Sequence, residues 1–407
     1  MKCRHCSTPL VHSFIDLGHA PPSNSYLTLE GLSSPETTYP LKVMVCTECW
    51  LVQTLDYTDA GELFDADYAY FSSTSSGWLA HARRYCEDMR SRLELDGRSF
   101  VIEIASNDGY LLKNFLEWDI PCLGIEPTAS TAAAAEAIGV PVRREFFCDA
   151  LADRLRAEGK QADLIAGNNV YAHVPDINDF TRGLKTALKL GGTITLEFPH
   201  LLRLIQQVQF DTIYHEHFSY LSLTAVNRIF SVAGLKVFDV VELPTHGGSL
   251  RVFGCHAEDS RSIMPAVSEL LEKESEAGLL SLQVYKDFQG RAEEVKLGFL
   301  GFLIEQKKAG KLVGAYGAAA KGNTLMNFAG VKPDLLPFVV DAATSKQGKF
   351  MPGSHLPIVA PDALRERQLD FVVILPWNIA DEVRTNLSDL SERGTRFITA
   401  IPEIRQS

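Results

Sequence analysis

The residues best suited to proton chemistry stand in one run, Asp211-Thr-Ile-Tyr214-His215-Glu216-His217-Phe-Ser-Tyr220. Histidine is the side chain poised nearest neutral pH, and a neighbouring carboxylate can hold it in one tautomer as a base. A metal site is the other reading of His215, Glu216 and His217, although no third ligand is evident nearby. On a strand the two histidines share a face and Glu216 takes the opposite one, whereas a helix separates them. His173 is a further candidate. The stretch Leu243-Pro-Thr-His246-Gly-Gly-Ser-Leu-Arg251 reads as a turn into a strand with exposed polar groups.

A second chemistry is written in sulfur. Cys3-Arg-His-Cys6 and Cys46-Thr-Glu-Cys49 supply two thiolate pairs with the spacing of a closed tetrahedral zinc site. His5 lies between two of these cysteines, but four sulfurs already complete the tetrahedron, so the expected role is structural. A segment this short has little core of its own, and a metal would contribute much of its folding free energy. The stretch Gly18–Tyr26 fills the gap between the pairs as an inserted loop.

These groups need elements to position them. Phe100–Ile104 is a short apolar run expected to form a buried strand, followed by the small, turn-prone Ala105-Ser-Asn107-Asp-Gly109 and a helix-like segment from Tyr110. Cys122-Leu-Gly-Ile-Glu126-Pro127 reads as a second strand closed by an acid, where such an acid hydrogen-bonds ribose hydroxyls. Glu103 within the first strand and Glu126 after the second fit S-adenosylmethionine (SAM) better than a dinucleotide. SAM has no pyrophosphate, and the G-x-G-x-x-G fingerprint is missing. The candidate cofactor contacts are Glu103, Ala105, Asn107, Gly109, Glu126, Pro127, Asn168 and Asn169.

The alternation continues with expected strands at Val140–Arg143, Asp163–Asn169 and Gly192–Pro199, and a helix over Asn178–Leu190 stopped by Gly191-Gly192. Tyr57–Gly77 is a hydroxyl-rich linker carrying Tyr68 and Tyr70, before a helix from Trp78 to Leu95. Glu258–Gly310 reads as a helical connector. Beyond it Lys311–Thr324 restarts the pattern of strand, glycine turn and helix, with further strands at Pro337–Asp341 and Asp370–Pro376. Backbone N–H groups from Gly317 to Asn323, together with Lys321, suit an anion, and Asp341 ends the next strand. The expected fold is α/β: a zinc-binding module and linker over 1–75, a Rossmann-like class I methyltransferase domain over 76–257, and a connector with a C-terminal Rossmann-like domain over 258–407.

Composition narrows the function. A net charge of −12 argues against a nucleic-acid-binding surface. No apolar run approaches the ~18 residues of a membrane span, and Met1-Lys-Cys-Arg-His is no signal peptide. Eight cysteines, four of them in Cys-x-x-Cys pairs, suit metal binding in a reducing compartment. The expectation is a soluble, cytoplasmic protein with no membrane or nucleic-acid partner, a monomer or small homo-oligomer.

Taken in order, the paired Cys-x-x-Cys start, Glu103-Ile-Ala-Ser-Asn-Asp-Gly-Tyr-Leu-Leu112, Tyr214-His-Glu-His-Phe218, Pro244-Thr-His-Gly-Gly-Ser-Leu-Arg251 and Gly317-Ala-Ala-Ala-Lys-Gly-Asn-Thr324 resemble the three-domain sugar C-methyltransferases over essentially the whole chain. That resemblance implies SAM and structural zinc as cofactors, and a sugar nucleotide held between the central and C-terminal domains. It implies methylation at C3 of a dTDP-linked 4-keto-deoxysugar. His217 is then the base, with Tyr214, Glu216, His173 and a linker tyrosine, Tyr68 or Tyr70, beside it. Substrate contacts are expected from His246, Arg251, Gly317, Lys321, Asn323 and Asp341. Glu216 either orients His217 or binds a sugar hydroxyl or amine. An O- or N-methyltransferase and a non-catalytic sugar-nucleotide binder are the rival readings.

Overall fold

The computed structural model describes residues 1–57 and 71–406. Most of the hydroxyl-rich linker, residues 58–70 with Tyr68 and Tyr70, lies outside the described residues. Near the N-terminus, β1 (His12–Ala20), β2 (Tyr39–Val45) and β3 (Val52–Thr54) form an antiparallel meander. Part of the expected loop is therefore strand, with the chain leaving β1 at Ala20 before the turn Pro21–Tyr26.

The next strands are β4 (Val101–Ile104), β5 (Cys122–Ile125), β6 (Val142–Arg143), β7 (Ala162–Asn168) and β8 (Leu188–Pro199). All of these pair in parallel. β9 (Ser219–Tyr220) then leaves this body and pairs with β3, completing the N-terminal sheet. β10 (Leu235–Leu243) and β11 (Ser249–His256) return antiparallel, giving the seven-stranded order β10-β11-β8-β7-β4-β5-β6. The strand order reverses between β4 and β7, and open α/β sheets bind their ligands outside the strand ends at such a switch point.

The helix before β8 spans Ile177–Ala187, shorter than the expected Asn178–Leu190. Leu188 already pairs with Ala162, so Gly191 (φ 83°) and Gly192 lie within β8. Backbone pairing to β7 outcompetes the helix there. The expected helix from Trp78 to Leu95 runs over Ser76–Arg92, with the Ser75 hydroxyl capping Trp78 N.

The connector is three helices, Pro265–Glu276, Leu282–Lys286 and Phe288–Lys308. β12 (Val313–Tyr316), β13 (Val339–Val340), β14 (Ile358–Val359), β15 (Phe371–Ile374), β16 (Arg396–Thr399) and β17 (Arg405–Gln406) then build a third sheet in the order β14-β13-β12-β15-β16-β17. It is parallel but for β17, and its switch point lies between β12 and β15.

The N-terminal sheet does not stand alone. Phe14 stacks on Phe288 with ring centroids 4.5 Å apart, and Trp50 on Tyr285 at 5.9 Å. One buried apolar cluster runs from Phe14 and Val43 through Phe210 to Val313, Met326 and Ile398. The small module thus gains core from the connector and the third sheet as well as from its sulfur cluster.

Candidate active site

The sulfur cluster forms as expected. Cys3 Sγ lies 3.5 Å from Cys49 Sγ, and Cys6 Sγ lies 3.4 Å from Cys46 Sγ. All four sulfurs fall within 4.8 Å of one another. A tetrahedron of zinc–sulfur bonds of ~2.3 Å has edges of ~3.8 Å, so the four thiols fit zinc and leave it no open coordination position. The hydrogen bond from the Cys49 thiol pushes the Cys3 pKa down to about 4, and Gln53 Nε2 donates to Cys3 Sγ at 3.2 Å. Both features favour a thiolate at Cys3, whereas the shared hydrogen bond raises Cys49 and burial raises Cys46.

The same knuckle reaches the central domain. Arg4 Nη1 donates to Pro175 O at 2.7 Å, and His5 Nδ1 lies 2.7 Å from Asn178 Oδ1. These contacts hold the loop after β7, which carries His173. From β3, Thr54 Oγ1 donates to His217 O at 3.2 Å.

His215 and Glu216 occupy a turn rather than a strand, closed by His217 N donating to Tyr214 O at 3.0 Å. Neither the strand nor the helix alternative is realised, and the two histidines part. His215 points to β2, with Nε2 3.3 Å from Tyr39 O. His217 turns inward, its ring 4.0 Å from that of Tyr214 and 4.6 Å from that of His173, centroid to centroid. His217 Nδ1 lies 3.1 Å from Thr212 O. A carbonyl only accepts, so Nδ1 carries the proton and Nε2 is left basic. Burial and the adjacent His173 push the His217 pKa well below its ordinary value, keeping the ring neutral at pH 7. Burial likewise lowers His173 to about 4, against its hydrogen bond to the Glu216 carbonyl.

The tautomer of His217 is thus set by a backbone carbonyl, not by Glu216. The Glu216 carboxylate faces the N-terminal loop, where Asn24 Nδ2 donates to Oε1 at 2.9 Å and to Oε2 at 3.1 Å. Burial raises Glu216 to about 7, opposed by the Asn24 amide.

At the central switch point, Ala105 (φ 56°), Asn107 (φ 48°) and Gly109 (φ 77°) are left-handed and make a compact turn. A Cβ on Gly109 would also lie 3.0 Å from Val140 Cγ2, so the turn packs tightly on its neighbours. Glu126 closes the turn by accepting from Asn107 N at 2.9 Å and Thr128 N at 2.8 Å, with Pro127 between. Each Glu126 oxygen keeps a further lone pair. Around the turn, both oxygens of Glu103, Ser106 Oγ, both side-chain polar atoms of Asn168 and Asn169 Oδ1 are buried with no hydrogen-bond partner among the described residues. Burial pushes the Glu103 pKa well up. Orphaned polar atoms at a switch point fit a polar ligand, and the amino-acid and ribose groups of SAM supply the missing donors and acceptors.

His246 joins this region. Its backbone is left-handed (φ 54°), and Asn169 Nδ2 lies 3.2 Å from its Nε2. Burial and the Lys321 charge lower His246 to about 4, so it too is neutral. Arg251, expected at the substrate, is instead drawn into the sheet, with Nη2 2.7 Å from Glu197 Oε2. Burial alone would raise Glu197, but the hydrogen bond from His81 and the Arg251 charge hold it below its usual range.

The C-terminal candidates gather at the third sheet's switch point. Gly317 (φ 91°) follows β12, and a Cβ there would lie 2.4 Å from Pro376 Cδ. Lys321 Nζ is 2.6 Å from Asn378 Oδ1 and 4.6 Å from the Trp377 ring centroid. Burial lowers its pKa, opposed by Asp211, which in turn is raised by burial to about 6 and accepts from Trp377 Nε1 at 2.7 Å. Lys321 therefore lies close to the segment 211–217, and its charge is felt at His217 and His246. Asn323 Nδ2 donates to Ser23 O at 2.6 Å, which ties the N-terminal loop to this helix. Asp341 stays local, accepting from Ala343 N at 2.8 Å and pairing with Lys346 at 3.4 Å.

The fold therefore brings His217, Tyr214, His173, Glu216, His246 and Lys321 toward one region, and draws Arg251 and Asp341 into other bonds. Asn24, Thr212, Asp211 and Trp377 complete it, and of these only Asp211 and Thr212, which open the polar run, had a sequence signal.

Family models match three successive stretches: a zinc binding domain over residues 3–64, a methyltransferase domain over 78–240 and a C-methyltransferase C-terminal domain over 244–402. The C-methyltransferase NovU of Streptomyces niveus is 32% identical over 404 residues, covering 99% of this chain and 96% of that protein. Among solved structures, a SAM-dependent methyltransferase from Clostridium acetobutylicum is 11% identical with a TM-score of 0.36, over 43% of this chain and 91% of that one. Magnesium protoporphyrin IX methyltransferase from Synechocystis, with bound SAH, has the same identity of 11% and TM-score of 0.36, over 44% and 83%. Its full-length relationship and its three matched domains place the chain in the family of zinc-bearing, SAM-dependent C-methyltransferases that its motifs resemble.

Proposed function

We propose that this enzyme methylates a nucleotide-linked 4-keto-deoxysugar, carried on dTDP, at C3, the carbon next to the ketone, through an enolate. The observation that carries the reading is the neutral, buried His217 with its Nδ1 proton committed to Thr212 O. Such a ring presents an unprotonated nitrogen at neutral pH, as removal of a proton from a carbon beside a carbonyl requires.

His217 Nε2 takes the α-proton, and negative charge develops on the ketone oxygen. Tyr214, packed on His217, is the donor for that oxygen among the described residues, because the one N–H of neutral His173 is given to the Glu216 carbonyl; a well-placed donor is worth a few kcal/mol in the transition state. Bound SAM supplies the electrophilic methyl group. Glu103, the Ala105–Gly109 turn, Glu126, Asn168 and Asn169 hold it, with Glu103, Glu126 and Asn168 buried. The pyrophosphate of the substrate is assigned to the Gly317–Asn323 turn, where N–H groups at a helix start and Lys321 favour an anion.

Solvent deuterium exchange tests the base. With a SAM analogue lacking a transferable methyl, wild type should wash label into the carbon beside the ketone. His217→Asn should not, and His215→Asn should. Retained exchange and methylation in His217→Asn would hand the role to another residue. NMR of the methylated product separates C- from O- or N-transfer.

A further inference from the structure

The loop between β1 and β2 enters the catalytic region at one residue. Asn24 Nδ2 spans both oxygens of Glu216, 2.9 and 3.1 Å away. The loop itself is anchored by other groups. Tyr26 OH donates to Ala318 O at 2.6 Å, Asn323 Nδ2 donates to Ser23 O at 2.6 Å, and Ser25 N donates to Pro22 O at 3.1 Å. The Asn24 carboxamide is therefore not needed to hold the loop, and among the described residues it bonds only to the Glu216 carboxylate.

Among the described residues, the groups facing Glu216 from the packed elements leave that carboxylate without a cation. Tyr26 on the same loop as Asn24 is held protonated by burial. His217 in the same turn and His173 from the loop after β7 are both held neutral by burial. Only the Asn24 amide opposes the burial of Glu216. An amide N–H can serve a carboxylate in this way, whereas a protonated carboxyl would invite the amide to turn its oxygen instead.

Building on the sugar-ketone reading, we propose that Asn24 is a positioning residue of the zinc-bearing module, which holds and aims the Glu216 carboxylate so that it accepts a hydrogen bond from a hydroxyl or ammonium group of the sugar. The module then shapes the substrate site directly. The lone pairs of Glu216 not used by Asn24 are the acceptors, and a substrate lacking the donor would leave a buried carboxylate half-satisfied.

The test compares wild type with Asn24→Ala and Asn24→Asp, each first shown to bind zinc and SAM as wild type does. Two readouts are taken: the titration of the Glu216 carboxyl carbon by NMR in the substrate-free enzyme, and the pH profile of kcat/KM with a dTDP-4-keto-deoxysugar. Removing the amide should move the Glu216 midpoint upward, further in Asn24→Asp, where a second carboxylate faces it. The acidic limb of kcat/KM should move with it, giving a loss of about tenfold for Asn24→Ala near pH 6.5 and less than about twofold at pH 9. In a Glu216→Gln background the Asn24→Ala change should have no further effect on kcat/KM. An unmoved NMR midpoint, an equal loss at every pH, or additive effects in the double variant would overturn the role of Asn24. A shifted midpoint in an enzyme that methylates no keto sugar nucleotide would leave the Asn24–Glu216 coupling standing and overturn the substrate reading beneath it.

Discussion

The ring of His217 and the carbonyl of Thr212, five residues apart in sequence, form a 3.1 Å hydrogen bond that decides which nitrogen of the histidine is basic. Thr212 belongs to the short 3-10 helix Phe210–Thr212, which also carries Asp211, the acceptor of Trp377 Nε1. His217, the proposed base, is thus referenced to the C-terminal domain through the backbone beside it. Trp377→Phe removes that indole bond while keeping an aromatic wedge. Methyl transfer should fall about tenfold with SAM affinity unchanged, as expected when a base shifts by a fraction of an ångström. Steady-state kinetics beside calorimetric SAM binding checks this.

Glu216 has a stability signature that can be read without substrate. Its folded pKa, about 7, lies above the ordinary 4.5, so the folded state holds this proton more tightly than the unfolded chain. The associated stability is complete below about pH 4.5 and is lost as pH rises through about 7. Glu216→Gln removes this dependence. The variant should be more stable than wild type by about 2–3 kcal/mol at pH 8 and should match it near pH 4.5. Denaturant melts at the two pH values measure the difference. An equal change at both would mean that Glu216 titrates normally.

His173 and His246, both lowered to about 4, act in the opposite direction. Each is depressed, so its contribution is present above the unfolded value of 6.5 and is lost as pH falls toward 4. His246→Asn should flatten the fall in stability between pH 6.5 and 4 relative to wild type. Thermal melts across that window would show it.

Glu126 accepts from two backbone N–H groups and has lone pairs left for the ribose hydroxyls of SAM. Glu126→Gln retains its shape but loses the charge on the acceptor. SAM affinity should weaken by about 1–3 kcal/mol, while zinc content stays at about one per chain. Calorimetry with SAM, paired with elemental analysis, separates this from general unfolding.

Zinc removal should act on the catalytic loop before it acts on the cofactor. Arg4 and His5, within the first knuckle, hold Pro175 and Asn178, just beyond His173. A chelated enzyme, or Cys6→Ser, should lose methyl transfer by at least about tenfold and keep SAM binding within about threefold. Hydrogen exchange should report faster opening of the segment 171–178. Unchanged protection there would separate the knuckle from the catalytic loop.

Local chemistry in the chain was enough for the sulfur site, the turn Ala105–Gly109 with Glu126 beyond it, and the two strand–turn–helix units around Gly109 and Gly317. Each rests on spacing within a few residues, or on side-chain periods that pay no regard to what packs above them. The limits of local reading appear at Leu188–Gly192, where a helix-length run with a glycine stop was overruled by pairing of Leu188 with Ala162. They appear again at His215 and His217, separated by a turn that alternation cannot foresee. Arg251 carried the right chemistry for a substrate contact, and the fold binds its Nη2 to Glu197 within the sheet. Asn24 and Glu216 lie 192 residues apart and meet only because β9 joins the N-terminal sheet and Asn323 grips the loop. A buried carboxylate must find donors wherever the fold supplies them, and which donors arrive is decided by three sheets closing on one another, a property of packing that no run of residues encodes alone.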